Sequence, residues 1–559
     1  MAGYGFDRNE VQVTKTTLID KDGFIFETDK PYSEDPSDYD VIFIDYDGTV
    51  PYTYMADEFL AMKKFPPDPQ HEGLISQGWN WDFDEAQAYV RKYGALVIGE
   101  TYSPADGATQ ITIELTSRLH VPICFSQSVD EGVEIDWGDK SRHVFVEGTG
   151  VVNASHDYAQ PGEYVLRLKA KDGCELGLGD PENNKIFFYG YYGENVNAQS
   201  SKLVKKIILS DSIKTFWQYA FSTAINLEVL IFSNSLESIT HRNDAPSTGF
   251  SAGKIKNIIL PKNLRFVTGL GDTEAKFEFI SFSNSIEELQ GIFLYSTSNI
   301  KIITLPEKIT SISGDTQWSM LDFSTGNKLE TMIIPDNVTS IVPGLLGGTT
   351  GARTLKRLYL SNGIETIGDK CFTFLFLLEE LHLPEQLISV GDGSFTQMYN
   401  LTQLTLPETL ESIGTGSFYN LGLVKELVLP DNCTSIGRTS FFTVTRLTNL
   451  KLPENIETLP YIFNAVVSLE KVVIPASVTS IDSIFNNALV LHDAVLKPTT
   501  PPTLTSGVFG RFAPTDLRIW VPYSSDHSIL NAYKAVTGWS ARADYIFELN
   551  EDGTIPDDI

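Results

Sequence analysis

Leu401-Thr402-Gln403-Leu404-Thr405-Leu406-Pro407-Glu408-Thr409-Leu410-Glu411-Ser412-Ile413-Gly414-Thr415-Gly416-Ser417-Phe418 is one turn of a repeat, and its period decides the fold. The same short apolar run closed by Pro or Ser recurs from Ser210 to Pro522, through Ser233, Pro261, Ser283, Pro306, Pro335, Ser361, Pro384, Pro407, Pro430, Pro453, Pro475 and Pro498. Successive anchors lie 22 to 29 residues apart, most often 23. So regular a period predicts a solenoid, in which each coil buries its apolar face against its neighbours. The two-residue period of a strand sends Leu404 and Leu406 inward and Thr405 outward. Ile413 then opens the return side, Gly414 is expected to permit the bend, and Phe418 to fill the space between coils. The same inward pair recurs as Ile367/Phe372, Val390/Phe395, Ile436/Phe441, Leu459/Phe463 and Ile481/Phe485.

At 559 residues the chain exceeds one compact core, so several modules are expected. Its 42% apolar and 20% charged content is that of a folded protein. Acidic residues outnumber basic ones 72 to 42, for a net charge of −30, and no basic stripe is present. That argues against a nucleic-acid partner, which basic residues would have to neutralise. The acidity itself serves solubility. Cys124, Cys174, Cys371 and Cys433 are too scattered for a metal set; Cys371 and Cys433 read as buried thiols. No export signal opens the sequence and no stretch is apolar enough to span a bilayer, so neither conventional secretion nor membrane insertion is expected.

The organisation reads as multidomain and mainly β. Residues 1–35 form an N-terminal arm, with alternation in Val11-Gln12-Val13 and Phe24-Ile25-Phe26. Residues 36–105 form a small α/β module that could dock on a larger particle. Its strands are Val41 to Ile44, Val50 to Tyr54 and Ala95 to Ile98; its helices run from Ala56 to Lys64 and from Asp84 to Tyr93, the second with Asp82 or Asp84 as N-cap and Gly94 as stop. Residues 106–185 alternate as in a β-sandwich, 186–498 are the solenoid, and 499–559 a last repeat and a capping helix. Residues around Phe187 to Tyr192 are expected to close the solenoid's other end.

Several resemblances attach to particular residues. Asp136-Trp137-Gly138-Asp139-Lys140-Ser141 and His156-Asp157-Tyr158-Ala159-Gln160-Pro161-Gly162-Glu163-Tyr164 resemble the immunoglobulin-like PKD domain, with Lys140 where that family has glycine. The coil quoted above resembles the BspA-like leucine-rich repeat, over more than half of the chain. Pro501-Pro502-Thr503-Leu504, Ile519-Trp520-Val521-Pro522, Ala532 to Ala535 and Gly538-Trp539-Ser540 resemble the terminal segment of such proteins.

Val41 to Val50, with Asp45-Tyr46-Asp47-Gly48-Thr49, resembles the first motif of haloacid-dehalogenase-type phosphatases. The resemblance implies a nucleophile at Asp45 and a proton-handling acid at Asp47 beside Mg²⁺. It ends after ten residues, and the sandwich leaves no room for the rest of that fold, so a strand running into an Asp-Gly turn is the expectation. No catalytic residue, resident metal or cofactor is assigned. Asp130, Glu131, Asp136 and Asp139 at the sandwich rim are the residues that could hold Ca²⁺.

The outward strand positions divide the solenoid. Ile208, Val229, Ile231, Ile259 and Ile302 make its first half apolar, and a solvated face should not collect them. β-propensity alone would also place isoleucines there; otherwise they mark a protein interface, covered by the sandwich or by a neighbouring subunit. Arg357, Tyr359, Glu380, His382, Gln403, Thr405, Glu426, Asn449, Lys451 and Lys471 make the second half polar, and these are the candidate receptor-binding residues.

Asp45 to Val50, Gln77-Gly78-Trp79-Asn80-Trp81 and Ala95-Leu96-Val97-Ile98-Gly99 resemble a recurrent N-terminal segment of modular proteins from phages of gut-type bacteria. That resemblance implies a non-enzymatic virion protein, a tail or head fibre, binding a host surface glycan or protein. Its further partners would be other virion proteins and copies of itself. The competing expectation is a bacterial cell-surface adhesin of the BspA-like type.

Overall fold

The computed structural model describes residues 16–19, 25–28, 35–117, 119–183, 185–188, 203–221, 224–240, 254–270, 277–292, 299–309, 312–313, 328–341, 353–482, 484–505 and 516–556. In the arm, β1 (Thr16–Ile19) and β2 (Ile25–Thr28) pair as an antiparallel hairpin with Thr16 opposite Thr28. Val11-Gln12-Val13 lie outside the described residues.

The α/β module is a four-stranded sheet in the order β4–β3–β6–β5, formed by β3 (Val41–Ile44), β4 (Tyr52–Tyr54), β5 (Leu74–Trp79) and β6 (Leu96–Pro104). β4 starts at Tyr52 rather than Val50, just past Pro51, which has no N–H to give a ladder. Helix α1 (Ala56–Ala61) ends before Lys64, ahead of Pro66-Pro67, where a helix cannot continue. Helix α2 (Phe83–Tyr93) follows Asp82 and stops at Gly94, whose φ of 81° and N–H bond to the Val90 carbonyl close the last turn. β3 and β6 are buried along their whole length, because both faces of this sheet are covered. One face packs Phe43, Leu96 and Ile98 against Phe59, Trp79 and Tyr89. The other presents Ile42, Ile44 and Val97 to the solenoid.

Seven strands make the sandwich: β7 (Thr109–Leu115), β8 (His120–Gln127), β9 (Val133–Asp136), β10 (Val144–Phe145), β11 (Gly150–Asp157), β12 (Gly162–Ala170) and β13 (Leu176–Leu178). The orders are β10–β9–β12–β7 and β11–β8–β13, and the two sheets enclose Ile111, Phe125, Ile135, Trp137 and Leu166. Lys140 takes a φ of 66°, so the lysine adopts the left-handed turn conformation that glycine adopts more easily.

Sandwich and solenoid share a sheet. β14 (Val204–Ile208) pairs antiparallel with β7, Ile207 opposite Ile111, and parallel with Val229–Ile231 of the next coil. The first coil is thus covered by a strand of the sandwich, and Phe187 and Phe188 pack on Phe221 beside it. Tyr191 and Tyr192 lie outside the described residues. From there one apolar core continues to Ile546.

The return-side ladder runs without interruption from Thr215–Trp217 to Ser435–Ile436. Beside it Phe372, Phe395, Phe418, Phe441, Phe463 and Phe485 stack ring on ring at 5.2 to 6.1 Å. Between coils, Ser394, Ser417 and Ser440 donate to the carbonyls of Gly368, Gly391 and Gly414 at 2.6, 2.6 and 2.9 Å. Gly414 serves closeness rather than a left-handed bend: a Cβ there would lie 2.6 Å from the Asp392 nitrogen of the preceding coil. The left-handed residues of that coil are Gly416 and Asn420, with φ of 64° and 67°.

At the far end helix α3 (Ser528–Ala535) lies over the last coils. Tyr533 donates to the Pro498 carbonyl at 2.9 Å and Trp539 to that of Pro502 at 2.8 Å. Ile546–Glu548 adds a final parallel strand to Arg518–Val521, which leaves the helix and this strand as the terminal cover. Among the described residues no helix is long and apolar enough to cross a membrane.

Candidate functional site

The outward column of the solenoid's strand flank has two environments. In the first half Ile208, Ile231, Ile259 and Ile302 are 1 to 7% exposed and Val229 is half-buried. What covers them is the chain's own α/β module, rather than the sandwich or a neighbouring subunit. Tyr102 packs on Ile208 and Ile231 with Val229 beside them, while Ile42, Ile44 and Val97 pack on Ile259, Phe279 and Ile302. Ile333 joins the module's helical core, with Tyr359 at its margin.

Polar bonds fix the register of this contact. Asn80 donates to the Leu260 carbonyl at 2.8 Å and to the Ser281 hydroxyl at 2.9 Å, which in turn donates to the Val97 carbonyl. Trp81 donates to the Phe282 carbonyl and Tyr89 to that of Leu305, both at 2.7 Å. Asn257 reaches the Asp45 carbonyl at 2.7 Å, and the Asn234 amide donates to Gln77 at 2.7 Å. Lys92 pairs with Asp336, Lys262 with Asp82 and Lys301 with Asp35. Sequence reasoning singled out Gln77 to Trp81 and Ala95 to Gly99 but missed what they touch.

From Tyr359 to Lys471 the flank is open, and past it Val473, Val495 and Trp520 pack with Phe547, Leu549 and Ile555. Arg357 is half-buried and donates to Thr331 Oγ1 at 3.2 Å. Tyr359 stacks on His382 at 5.3 Å with 13° between the rings, and its hydroxyl lies 3.5 Å from Glu380. Burial, with Glu380 adding to it, raises the Tyr359 phenol above its usual range. Glu380, His382, Gln403, Thr405, Glu426, Asn449, Lys451 and Lys471 are all exposed. Asn449 donates to Glu426 at 2.8 Å, and Lys451 pairs with Asp431 at 3.4 Å. The structure therefore gathers Arg357, Tyr359, Glu380 and His382 into one group and Glu426, Asn449 and Lys451 into another. Gln403 and Thr405 stand between the two groups, and Lys471 lies beyond the second, opposite Asp493.

The remaining candidates lie apart from this flank. Asp45 is buried, 2.7 Å from His71 Nε2, and accepts from Tyr102 at 3.2 Å; desolvation raises its carboxyl above the usual range despite the imidazole. Asp47 turns outward and accepts from the Thr49 amide and hydroxyl. The two carboxylates thus face different surroundings. At the sandwich rim Asp130 accepts from the Gly148 amide, Asp136 lies near His143 and Arg167, and Asp139 pairs with His156 at 2.7 Å. All four cysteines are buried thiols, and burial pushes Cys124 up to about 11 and Cys433 up to about 12.

Two further features escaped the sequence reading. Phe376 stacks on Tyr399 and Tyr419 on Phe442, forming a half-exposed aromatic stripe on another side of the coils. The signal was present, since each pair is one coil apart. The second is Glu100, buried in the module next to Asp45 and Asp68.

Comparison with known proteins matches residues 196–316, 245–377 and 365–491 to the BspA type leucine rich repeat region, in six copies. A leucine-rich repeat protein from Bacteroides ovatus is similar in structure at 18% identity and a TM-score of 0.41, over 63% of this chain and 85% of that one. A leucine rich cell surface protein from Faecalibacterium prausnitzii is similar at 20% identity and a TM-score of 0.26, over 58% and 79%. The pneumococcal vaccine antigen PcpA is similar at 20% identity and a TM-score of 0.27, over 58% and 75%. No curated protein matches the chain.

Proposed function

Since the chain belongs to the BspA-type leucine-rich repeat family, we propose that it is a non-enzymatic adhesion protein that holds a surface receptor on the open strand flank of its solenoid. One observation carries the reading: the flank is sealed by the chain's own module up to Tyr359 and is exposed and mostly polar from Glu380 to Lys471, with Val428 its exposed apolar residue. A rigid ladder of coils offers many shallow contacts, and several copies on one carrier multiply them.

The carrier in this proposal is a phage particle, and the receptor a glycan or protein on its host. The support is the likeness of Asp45 to Val50, Gln77 to Trp81 and Ala95 to Gly99 to segments of phage proteins. Several of those residues seat the module on the solenoid, which makes the arm of residues 1–35 the docking element in this reading. The second reading places the same adhesive flank on a bacterial cell surface, and the repeat family favours it.

Attachment of the purified full chain to host-type cells tests the shared claim. Replacing Glu380, His382, Asn449 and Lys451 together by alanine should reduce attachment about tenfold or more, as expected when several modest contacts are lost. Unchanged attachment contradicts the reading. Mass spectrometry of purified particles against cell envelopes then decides between the carriers.

A further inference from the structure

The sandwich has one long strand edge that joins no further ladder among the described residues. In the sheet β11–β8–β13 it is β13 that meets the solenoid: Leu176 N–H donates to the Ser212 carbonyl at 3.0 Å, and a Cβ on Gly179 would lie 3.0 Å from the Trp217 ring. β11 is the opposite edge, two strands removed from that contact. Its ladder runs from Gly150 opposite Gln127 to Asp157 opposite His120 without a register shift. Tyr158 N–H donates to the Leu119 carbonyl at 2.9 Å in the same register, so the even-numbered residues of β11 are the ones bonded to β8. The N–H and C=O groups of Val151, Asn153, Ser155 and Asp157 therefore point outward, and among the described residues no backbone bond reaches them. Their side chains are exposed, while Val152, Ala154 and His156 are buried or half-buried against the sandwich.

A free edge is ordinarily short, bulged or guarded by lysine or proline. The other edges of the sandwich and of the α/β module follow that rule. β10 has 2 residues, β4 and β13 have 3 each, and a bulge between Ser76 and Gly78 breaks β5. β11 runs for 8 residues with no bulge, proline, lysine or arginine. Apolar surface collects beside it: Val129, Val144, Phe145 and Val151 are each 41 to 43% exposed. Gln127 ties their turns together, donating to the Val146 and Gly148 carbonyls at 2.8 and 2.7 Å. A patch of this kind marks an interface.

We propose that β11 pairs with β11 of a second copy of this chain, antiparallel about a two-fold axis at Asn153. The axis sets Asn153 opposite Asn153 and Val151 opposite Ser155, so the outward N–H and C=O groups of both strands meet as hydrogen-bonded pairs. Charge selects this occupant. A net charge of −30 opposes contact between most surfaces of two copies. β11 carries one acidic residue, Asp157, at its end and 2.8 Å from His120. A two-fold sets like against like, which a near-neutral strand permits. The strand offers neither a row of carboxylates to a basic peptide nor a row of cations to an acidic one. The inference stands apart from the adhesion reading; where that reading holds, each pair carries two solenoid flanks.

The test is sedimentation equilibrium of the full chain at up to about 100 μM, a range that captures a dimer held by a small interface. The native chain should dimerise. Asn153→Pro removes an outward N–H and leaves the β8 ladder whole, so it should keep the native circular dichroism and thermal melt yet dimerise at least about tenfold more weakly. V151K/S155K sets lysine opposite lysine across the axis and should also be monomeric, whereas V151K/S155E sets lysine opposite glutamate and should restore the dimer. A monomeric native chain, a trimer or larger assembly, a dimer undiminished in Asn153→Pro or V151K/S155K, or failure of V151K/S155E to restore it overturns the proposal. Cell attachment is read separately: a monomer that attaches removes this proposal alone, and a dimer that does not attach removes the adhesion reading alone.

Discussion

Glu100 is 1% exposed, and only one of its carboxylate oxygens is served, by the Ser76 hydroxyl at 2.6 Å and the Gly78 amide at 3.1 Å. The other has no partner. Desolvation first, with Asp68 and Asp45 adding to it, pushes its pKa from 4.5 up to about 8 against the pull of those two donors. The unfolded chain loses this proton near 4.5 while the folded module holds it to about 8. The group's favourable contribution is therefore complete below pH 4.5 and is lost as pH rises through 8. Thermal unfolding of the module should shift downward across that window, and Glu100→Gln should flatten the dependence; a flat native profile contradicts the assignment. Gly99 makes a second point at this scale. A Cβ there would lie 2.5 Å from Ile259 Cγ2, so Gly99→Ala should cost about 1–3 kcal/mol and loosen the module, measurable as faster hydrogen exchange at Ile259. Neither role was legible in the sequence. Asn80 and Leu260 are 180 residues apart, and no local pattern says which distant surface a side chain will meet.

The coil is the element that sequence described best. A 23-residue period places one Phe per coil at the same height, and the structure stacks them into a column, with Phe418 fully buried between two neighbours. Phe418→Ala should cost about 3–5 kcal/mol in denaturant unfolding. Because each coil touches only its neighbours, the loss should concentrate in the adjacent coils. A uniform loss along the chain, or none, contradicts that. Ser417→Ala removes the hydroxyl that bridges to the Gly391 carbonyl and should cost about 1 kcal/mol in the same assay. One thing at this scale stayed hidden: Gly414 is required by the approach of the preceding coil, which a lone coil's sequence does not contain.

The whole molecule is a solenoid with one strand flank divided between internal cover and open surface. The apolar run from Ile208 to Ile302 was readable as a face that needs covering, whereas the cover was not readable. The sheet of the small module has two apolar faces, and the strand Val41 to Ile44 does not reveal that one of them is meant for the coils. Deleting residues 1–105 should therefore expose Ile231, Ile259 and Ile302 and turn the remainder aggregation-prone by light scattering. A monodisperse remainder contradicts the cover. Hydroxyl-radical footprinting of the full chain, free and attached to host-type cells, tests the divided flank most directly. The account predicts low reactivity at Ile231, Ile259 and Ile302 in both states, and new protection on attachment centred on His382 and the coils to Lys451. High reactivity of those isoleucines in the free chain, or attachment that leaves His382 as reactive as before, would contradict it.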